Sequence, residues 1–124
     1  MKVKEVMSQA YVTDKDITLE EASKIMSKQK MGTIMIVKDK KLIGMITERD
    51  LLRNFGENFK ISKIMSKSLI TISPEADLQE AFDMMNSHKI KRMPVVNKDE
   101  LVGIIQATDL LLCADELDGE FYFN

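Results

Sequence analysis

The residues of this 124-residue chain with the clearest chemical capacity form the run Thr47-Glu48-Arg49-Asp50, directly after an apolar stretch ending at Ile46. If a strand ends at Ile46 and a helix begins at once, free backbone N–H groups and the positive end of the helix dipole face outward there. Such a terminus is a ready place for a phosphate. Thr47 could hydrogen-bond a phosphate oxygen, and Asp50 could accept bonds from both hydroxyls of a ribose. The same spacing suits a capping box, with Thr47 as N-cap and Asp50 near the third helical position. The two roles can coexist. A second carboxylate, Asp109, closes the run Gln106-Ala107-Thr108-Asp109 in a like setting after Ile105. Paired carboxylates can act as acid and base, but these two recur with the rest of the chain's pattern, which points to binding at two like sites.

Other reactive side chains are few. His88 is the one histidine and Cys113 the one cysteine, so an internal disulfide and a multi-cysteine metal site are both excluded. Cys113 follows three leucines and reads as a small buried hydrophobe; His88 reads as a helix C-terminal residue facing the dipole, with a ligand role as the lesser alternative. The chain has no Ser/His/Asp set, no P-loop and no dinucleotide fingerprint, so it is not expected to be an enzyme. Eighteen basic against 20 acidic residues leave a net charge of −2. That balance argues against a nucleic-acid partner held by phosphate neutralisation. No apolar run approaches a membrane span, and the start, Met1-Lys2-Val3-Lys4-Glu5, lacks a signal-peptide core. The expected location is the cytoplasm, with no membrane partner.

The elements that would position these residues occur twice. Val6-Met7-Ser8 returns as Ile64-Met65-Ser66, and Leu19, Ala22, Met26, Gly44 and Asp50 return 59 residues later as Leu78, Ala81, Met85, Gly103 and Asp109. Each copy reads as a short extended stretch (Tyr11 to Thr13; Leu69 to Ile72), a helix with apolar residues at helical spacing, a hairpin and a second helix. Thr18 with Glu21 makes a capping box for the first helix. In the second copy Ser73 precedes Pro74 at an expected first helical position. The hairpin strands are Thr33 to Val37 with Leu42 to Ile46, and Met93 to Val96 with Leu101 to Ile105, joined by charged turns. The second helices start near Glu48 and Ala107, and short turns or helices at Val3 to Met7 and Ile61 to Met65 lead each copy. Ten methionines spread over both copies read as core filling. A unit of about 60 residues is marginal alone, so the copies are expected to share a core.

Taken in order, these motifs resemble the cystathionine-β-synthase (CBS) domain family in its tandem form. Its marks here are Val6-Met7-Ser8, Thr13, Ala22/Met26 and Gly44-Met45-Ile46-Thr47-Glu48-Arg49-Asp50-Leu51. In the second copy they are Ile64-Met65-Ser66, Thr71, Ala81/Met85, Met93-Pro94-Val95-Val96 and Gly103 through Leu110. The resemblance implies an α/β fold (α+β in stricter schemes) of two βαββα repeats packed with pseudo-two-fold symmetry. It also implies two clefts between them that hold AMP, ADP, ATP or S-adenosylmethionine, with no further cofactor. By the same resemblance Thr47 and Asp50 contact phosphate and ribose, Arg49 and Thr108 lie beside them, and Val12, Thr13, Ile70 and Thr71 hold the adenine. Lys91 and Arg92, ahead of Met93 and Pro94, match positions that contact phosphates; a solvated helix-to-strand turn is the equal alternative. Arginine's planar fork suits bidentate phosphate contact. Gln106 stands where Thr47 stands, so the two clefts are expected to be unequal.

The expected domains are residues 1–57, 58–115 and an aromatic tail, 116–124. The tail, Leu117 to Asn124, carries Phe121-Tyr122-Phe123 and is expected to pack on the module's own surface or on a second chain, with a dimer or partner contact favoured. Family resemblance implies a homodimer and a regulated protein partner. The competing expectation is a ligand-free dimerisation or docking module.

Overall fold

In the computed structural model, which describes residues 1–121, the strand and helix patterns separate into two compact units. Unit A covers Ala10–Leu69, while unit B joins Met1–Gln9 to the chain from Ile70 onward. These units do not follow the sequence repeat. The leading segment of each copy packs with the body of the other.

Unit A begins with strand β1 (Val12–Thr13), which runs parallel to β2 (Thr33–Lys38). Between them lies helix α1 (Leu19–Gln29). Thr18 caps it, its hydroxyl accepting the Glu21 N–H at 3.2 Å while Glu21 accepts the Thr18 N–H at 3.1 Å. Strand β3 (Lys41–Thr47) pairs antiparallel with β2 from Thr33↔Thr47 to Lys38↔Lys41. Asp39 and Lys40 turn the chain with φ of 52° and 67°, the left-handed pair that a two-residue hairpin requires. Helix α2 (Glu48–Arg53) follows without a break, and α3 (Ile61–Ile64) is the leading segment of the second copy. Leu19, Ala22, Met26, Ile34, Ile36, Ile46 and Ile61 form the core. Each buried aliphatic side chain contributes ~2 kcal/mol of transfer free energy.

Unit B repeats the plan with α4 (Leu78–His88), β4 (Arg92–Asn97), β5 (Glu100–Gln106) and α5 (Ala107–Leu111). Lys98 and Asp99 repeat the left-handed turn at φ 51° and 69°. The expected first strand shrinks to a single bridge, Ile72↔Val95, with the Ile72 N–H donated to Pro94 O at 3.1 Å. Helix α4 also starts four residues later than Pro74 would suggest, because Ser73 to Ala76 form a turn. The Ala76 N–H reaches Ser73 O at 3.1 Å, and the Glu75 N–H reaches the Ser73 hydroxyl at 3.1 Å. The leading segment fixes that turn: the Lys4 and Val3 N–H groups donate to Pro74 O and Ala76 O. Proline's fixed φ suits this turn position as well as it suits a helix start.

Met26, Met35, Met85 and Met93 are buried and fill the cores, whereas Met1 and Met31 are exposed, contrary to the expectation for them. Cys113 is half-buried against the unit B core, and His88 is exposed at the end of α4. The described part of the tail, up to Phe121, lies on the chain's own surface, one of its two expected places. Phe121 meets Phe82 of α4 edge-on, ring centroids 4.8 Å apart. Tyr122, Phe123 and Asn124 lie outside the described residues. Among the described residues no helix is long and apolar enough to cross a membrane.

Candidate functional site

The strand–helix junction of unit A is built by β3 running into α2. Thr47 is extended (φ −123°, ψ 168°) and Asp50 reaches back to it. Asp50 Oδ2 accepts the Thr47 N–H at 2.8 Å and the Thr47 hydroxyl at 3.2 Å. The Glu48 N–H donates to Gly32 O at 3.0 Å. Two of the N–H groups that the sequence leaves facing outward are therefore already satisfied. Because α2 spans only six residues, few peptide dipoles add up behind its start. An anion here would depend on side chains. The side chain nearest to hand is an acid: Glu48 lies so close over Gly32 that any Cβ at residue 32 would collide with its carboxylate.

The junction of unit B keeps the backbone and changes the charge. Asp109 Oδ2 accepts the Gln106 N–H at 2.8 Å, and the Ala107 N–H donates to Lys91 O at 2.7 Å. Small Ala107 stands where Glu48 stands, and Lys91 stands where Gly32 stands. Arg92 pairs directly across the ladder with Gln106, the last residue before α5. The fold thus brings Lys91, Arg92, Thr108 and Asp109 to one end of one hairpin. Arg92 Nε is buried and is the one such side-chain nitrogen or oxygen among the described residues without a hydrogen-bond partner.

The remaining expected residues fall beside these junctions. Val12 and Thr13 flank β2 opposite Met35 and Ile36, so β1 and the Thr47 end of β3 stand on either side of β2, about 10 Å apart. Val12 is 42% exposed, and the Thr13 hydroxyl accepts the Lys15 N–H at 3.2 Å. Thr71 and Arg49 are exposed, whereas Ile70 packs on the unit B core. Met93 and Pro94 are fully buried. Among the described residues no three of His, Cys, Asp and Glu converge as metal ligands would.

The family model of the CBS domain matches this chain twice, over residues 3–57 and 61–115. The chain belongs to the CBS domain family. Its tandem CBS repeats are similar to the CBS domain-containing protein YhcV of Bacillus subtilis, 33% identical over 87% of this chain and 81% of that protein. Among solved structures, the CBS domain pair of protein MJ0100, in complex with 5′-methylthioadenosine and S-adenosyl-L-methionine, is similar with a TM-score of 0.85. It is 26% identical, and the match covers 94% of this chain and 97% of that one. The inosine-5′-monophosphate dehydrogenase of Korarchaeum cryptofilum is 35% identical over 75% of the chain, but the match spans only 20% of that enzyme. The resemblance there is one of CBS regions and carries no reaction with it.

Sequence reasoning passed over one feature of the CBS junctions. The exchange of Gly32 and Glu48 for Lys91 and Ala107 is visible once the copies are aligned at the 59-residue offset. It looks unremarkable residue by residue. Only the contact between residue 32 and the residue 48 side chain shows that the two changes compensate in volume and reverse the charge.

Proposed function

We propose that this CBS pair is a regulatory module that binds adenosyl ligands at its strand–helix junctions and acts on a partner protein. The unit B junction takes the phosphate-bearing ligand. Lys91 and Arg92 meet the phosphate, the free oxygen of Asp109 meets the ribose hydroxyls, and Ile70 and Thr71 border the base. The observation that carries this reading is Arg92 Nε, buried without a partner at the start of α5. A buried, unpaired guanidinium nitrogen is costly unless a ligand completes it. At the unit A junction, with Val12, Thr13, Thr47, Arg49 and Asp50, the Glu48 carboxylate disfavours phosphate and favours an adenosyl ligand that is neutral or carries a sulfonium, the two types held by the MJ0100 pair.

Calorimetric titration with AMP, ADP, ATP, S-adenosylmethionine and methylthioadenosine tests this. A ligand at 100 times its Kd should stabilise the fold by about 2.7 kcal/mol. If no adenosyl compound binds, or if Asp50→Ala with Asp109→Ala leaves all binding intact, the assignment fails. A second reading, a docking module without a small ligand, is favoured by the Thr47 hydroxyl being already engaged by Asp50. A stable dimer by light scattering, with no thermal shift from any adenosyl compound, would select it.

A further inference from the structure

The outer face of α4 carries the chain's own tail. The Gln79 amide pairs with Asp118 in both directions, accepting its N–H at 2.8 Å and donating to its carbonyl at 2.9 Å. The same amide donates to Asp83 Oδ1 at 2.9 Å, which fixes its orientation. Asn86 donates to Glu120 O at 2.8 Å, and Phe121 packs edge-on against Phe82. Between these contacts the chain bends at Gly119, whose φ of 112° favours glycine and where a Cβ would sit 3.2 Å from the Phe82 ring. The tail is thus pinned towards both ends of α4, by Gln79 in its first turn and Asn86 in its last.

This pinning joins the two elements that frame the unit B junction. From the last turn of α4 the backbone passes Ile90, whose N–H returns to Met85 O at 3.0 Å, and reaches Lys91 and Arg92. From Asp109 to the tail the backbone is hydrogen-bonded turn by turn. The Leu112 N–H donates to Thr108 O at 3.3 Å, Cys113 to Leu110 O at 3.0 Å, Glu116 to Cys113 O at 3.0 Å and Leu117 to Ala114 O at 3.1 Å. Cys113, Leu117 and Phe121 pack on the unit B core along the way. The tail therefore ties the helix that leads into Lys91 and Arg92 to the helix that carries Asp109. In unit A, Glu20, Ser23 and Ser27 stand where Gln79, Phe82 and Asn86 stand, and none of the three offers a ring. The hold on α4 is light enough to be shifted. The bonds from Gln79 and Asn86 are exposed, so exchange with water leaves each a small net contribution, and ordering the tail backbone opposes them. Docked and released tails then lie close in free energy.

We infer that the tail is a ligand-responsive strap of unit B: docked on α4, it holds the two halves of the junction in register, and ligand at the junction holds it docked. This regulation rests on the unit B junction taking a phosphate-bearing ligand, as proposed for it. Arg92, with its buried and unpartnered Nε, and Asp109 belong to different elements. A ligand that meets both at once gains affinity when their separation is fixed beforehand. Ordering already supplied by the tail is ordering that the ligand does not have to impose. The coupling is reciprocal, so whatever factor docking adds to ligand affinity, the ligand adds to docking.

Amide exchange resolved by residue on the full chain tests it, because the Asp118 N–H is bonded to Gln79 only while the tail is docked. Saturating AMP should slow exchange at Asp118 by at least about fivefold, and Arg92→Gln should abolish that slowing. Gln79→Ala and Phe121→Ala remove different contacts of the strap. Each should quicken exchange at Asp118 and weaken AMP binding by up to the same factor. Methylthioadenosine, assigned to unit A, should leave Asp118 unmoved and bind both variants as it binds the unsubstituted chain. If AMP fails to bind, the assignment of the junction falls and the strap falls with it. If AMP binds but leaves exchange at Asp118 unchanged, or keeps its affinity in both variants, the strap alone is overturned. Equal losses for AMP and methylthioadenosine would also overturn it, because Gln79 and Phe121 would then support the fold at large.

Discussion

The junctions at Thr47 and Gln106 share a backbone and differ in electrostatics. Each has an aspartate reaching back to the N–H of the preceding strand's last residue at 2.8 Å, and a first helical N–H bonded to the hairpin's opening segment. Onto that common frame unit A places the Glu48 carboxylate over Gly32, and unit B has Ala107 at the matching helix start with Lys91 and Arg92 at the opening of its hairpin. The comparison teaches that the repeat preserves the hydrogen bonds that set geometry while the side chains around them are free to set charge. A carboxylate beside one junction and a pair of cations beside the other cannot favour the same ligand charge.

The largest effect should come from removing the cation that lacks a partner. Arg92→Gln should lower affinity for AMP by roughly 10–100-fold, the worth of one charge-assisted hydrogen bond at ~1.5–3 kcal/mol. Methylthioadenosine, which has no phosphate, should bind as before. Equal losses for both ligands in titration calorimetry would show that Arg92 supports the fold rather than the phosphate, and the contrast between junctions would break.

The same frame predicts unequal tolerance of a methyl group at the paired glycines. A Cβ on Gly103 would lie 2.9 Å from Ser8 O, a backbone atom fixed by the Ser8↔Ile104 bridge. On Gly44 it would meet the flexible Met65 side chain. Gly103→Ala should therefore cost about 2–3 kcal/mol in urea unfolding and Gly44→Ala about 1 kcal/mol, within the range for overpacking. Sharpening the electrostatic contrast needs a milder change. Glu48→Gln keeps the contact over Gly32 and removes the charge, so AMP binding at the unit A junction should rise severalfold, of the order of 1 kcal/mol.

Much of this was legible in the sequence wherever the determinant is local. Thr18 with Glu21, the paired hairpins and the starts at Glu48 and Ala107 depend on residues within four positions of each other, and periodicity reports such spacing directly. The 59-residue offset supplied the repeat. Pro74 misled because proline favours a turn and a first helical turn alike, and the deciding bonds come from Val3 and Lys4, some seventy residues away. The tail's destination was hidden for the same reason: Gln79 and Asn86 look like ordinary exposed helix residues until Asp118 and Glu120 lie along them. Thr47 and Asp50 stood out by spacing, yet spacing alone does not reveal that each is already the other's hydrogen-bond partner.

The smallest expected difference concerns how each leading segment is latched, and it tests whether the copies diverge in charge beyond the junctions. In unit A, Asp16 holds α3 through the Ser62 N–H at 3.0 Å and hydroxyl at 2.7 Å. In unit B its counterpart Glu75 holds the first residues through ion pairs to Lys2 and Lys4 at 2.9 and 2.8 Å. Hydrogen bonds from Ser62 lower the Asp16 pKa. Those from Lys4 and Lys2 bring Glu75 down from 4.5 to about 2. A carboxylate depressed by folding stabilises above its unfolded pKa, and that contribution fades as pH falls through the folded value. Glu75 should thus add stability above pH 4.5 that is lost towards pH 2, a loss that Glu75→Gln removes from the urea-midpoint profile. Because both partners are exposed, the contribution is small and screened. At pH 7, salt should weaken the Glu75 latch and leave the Asp16–Ser62 latch unmoved, so amide exchange near Val3 should quicken with salt while exchange near Ile61 should not. Equal salt responses at the two segments would mean that the latches work alike and that charge divergence stops at the junctions.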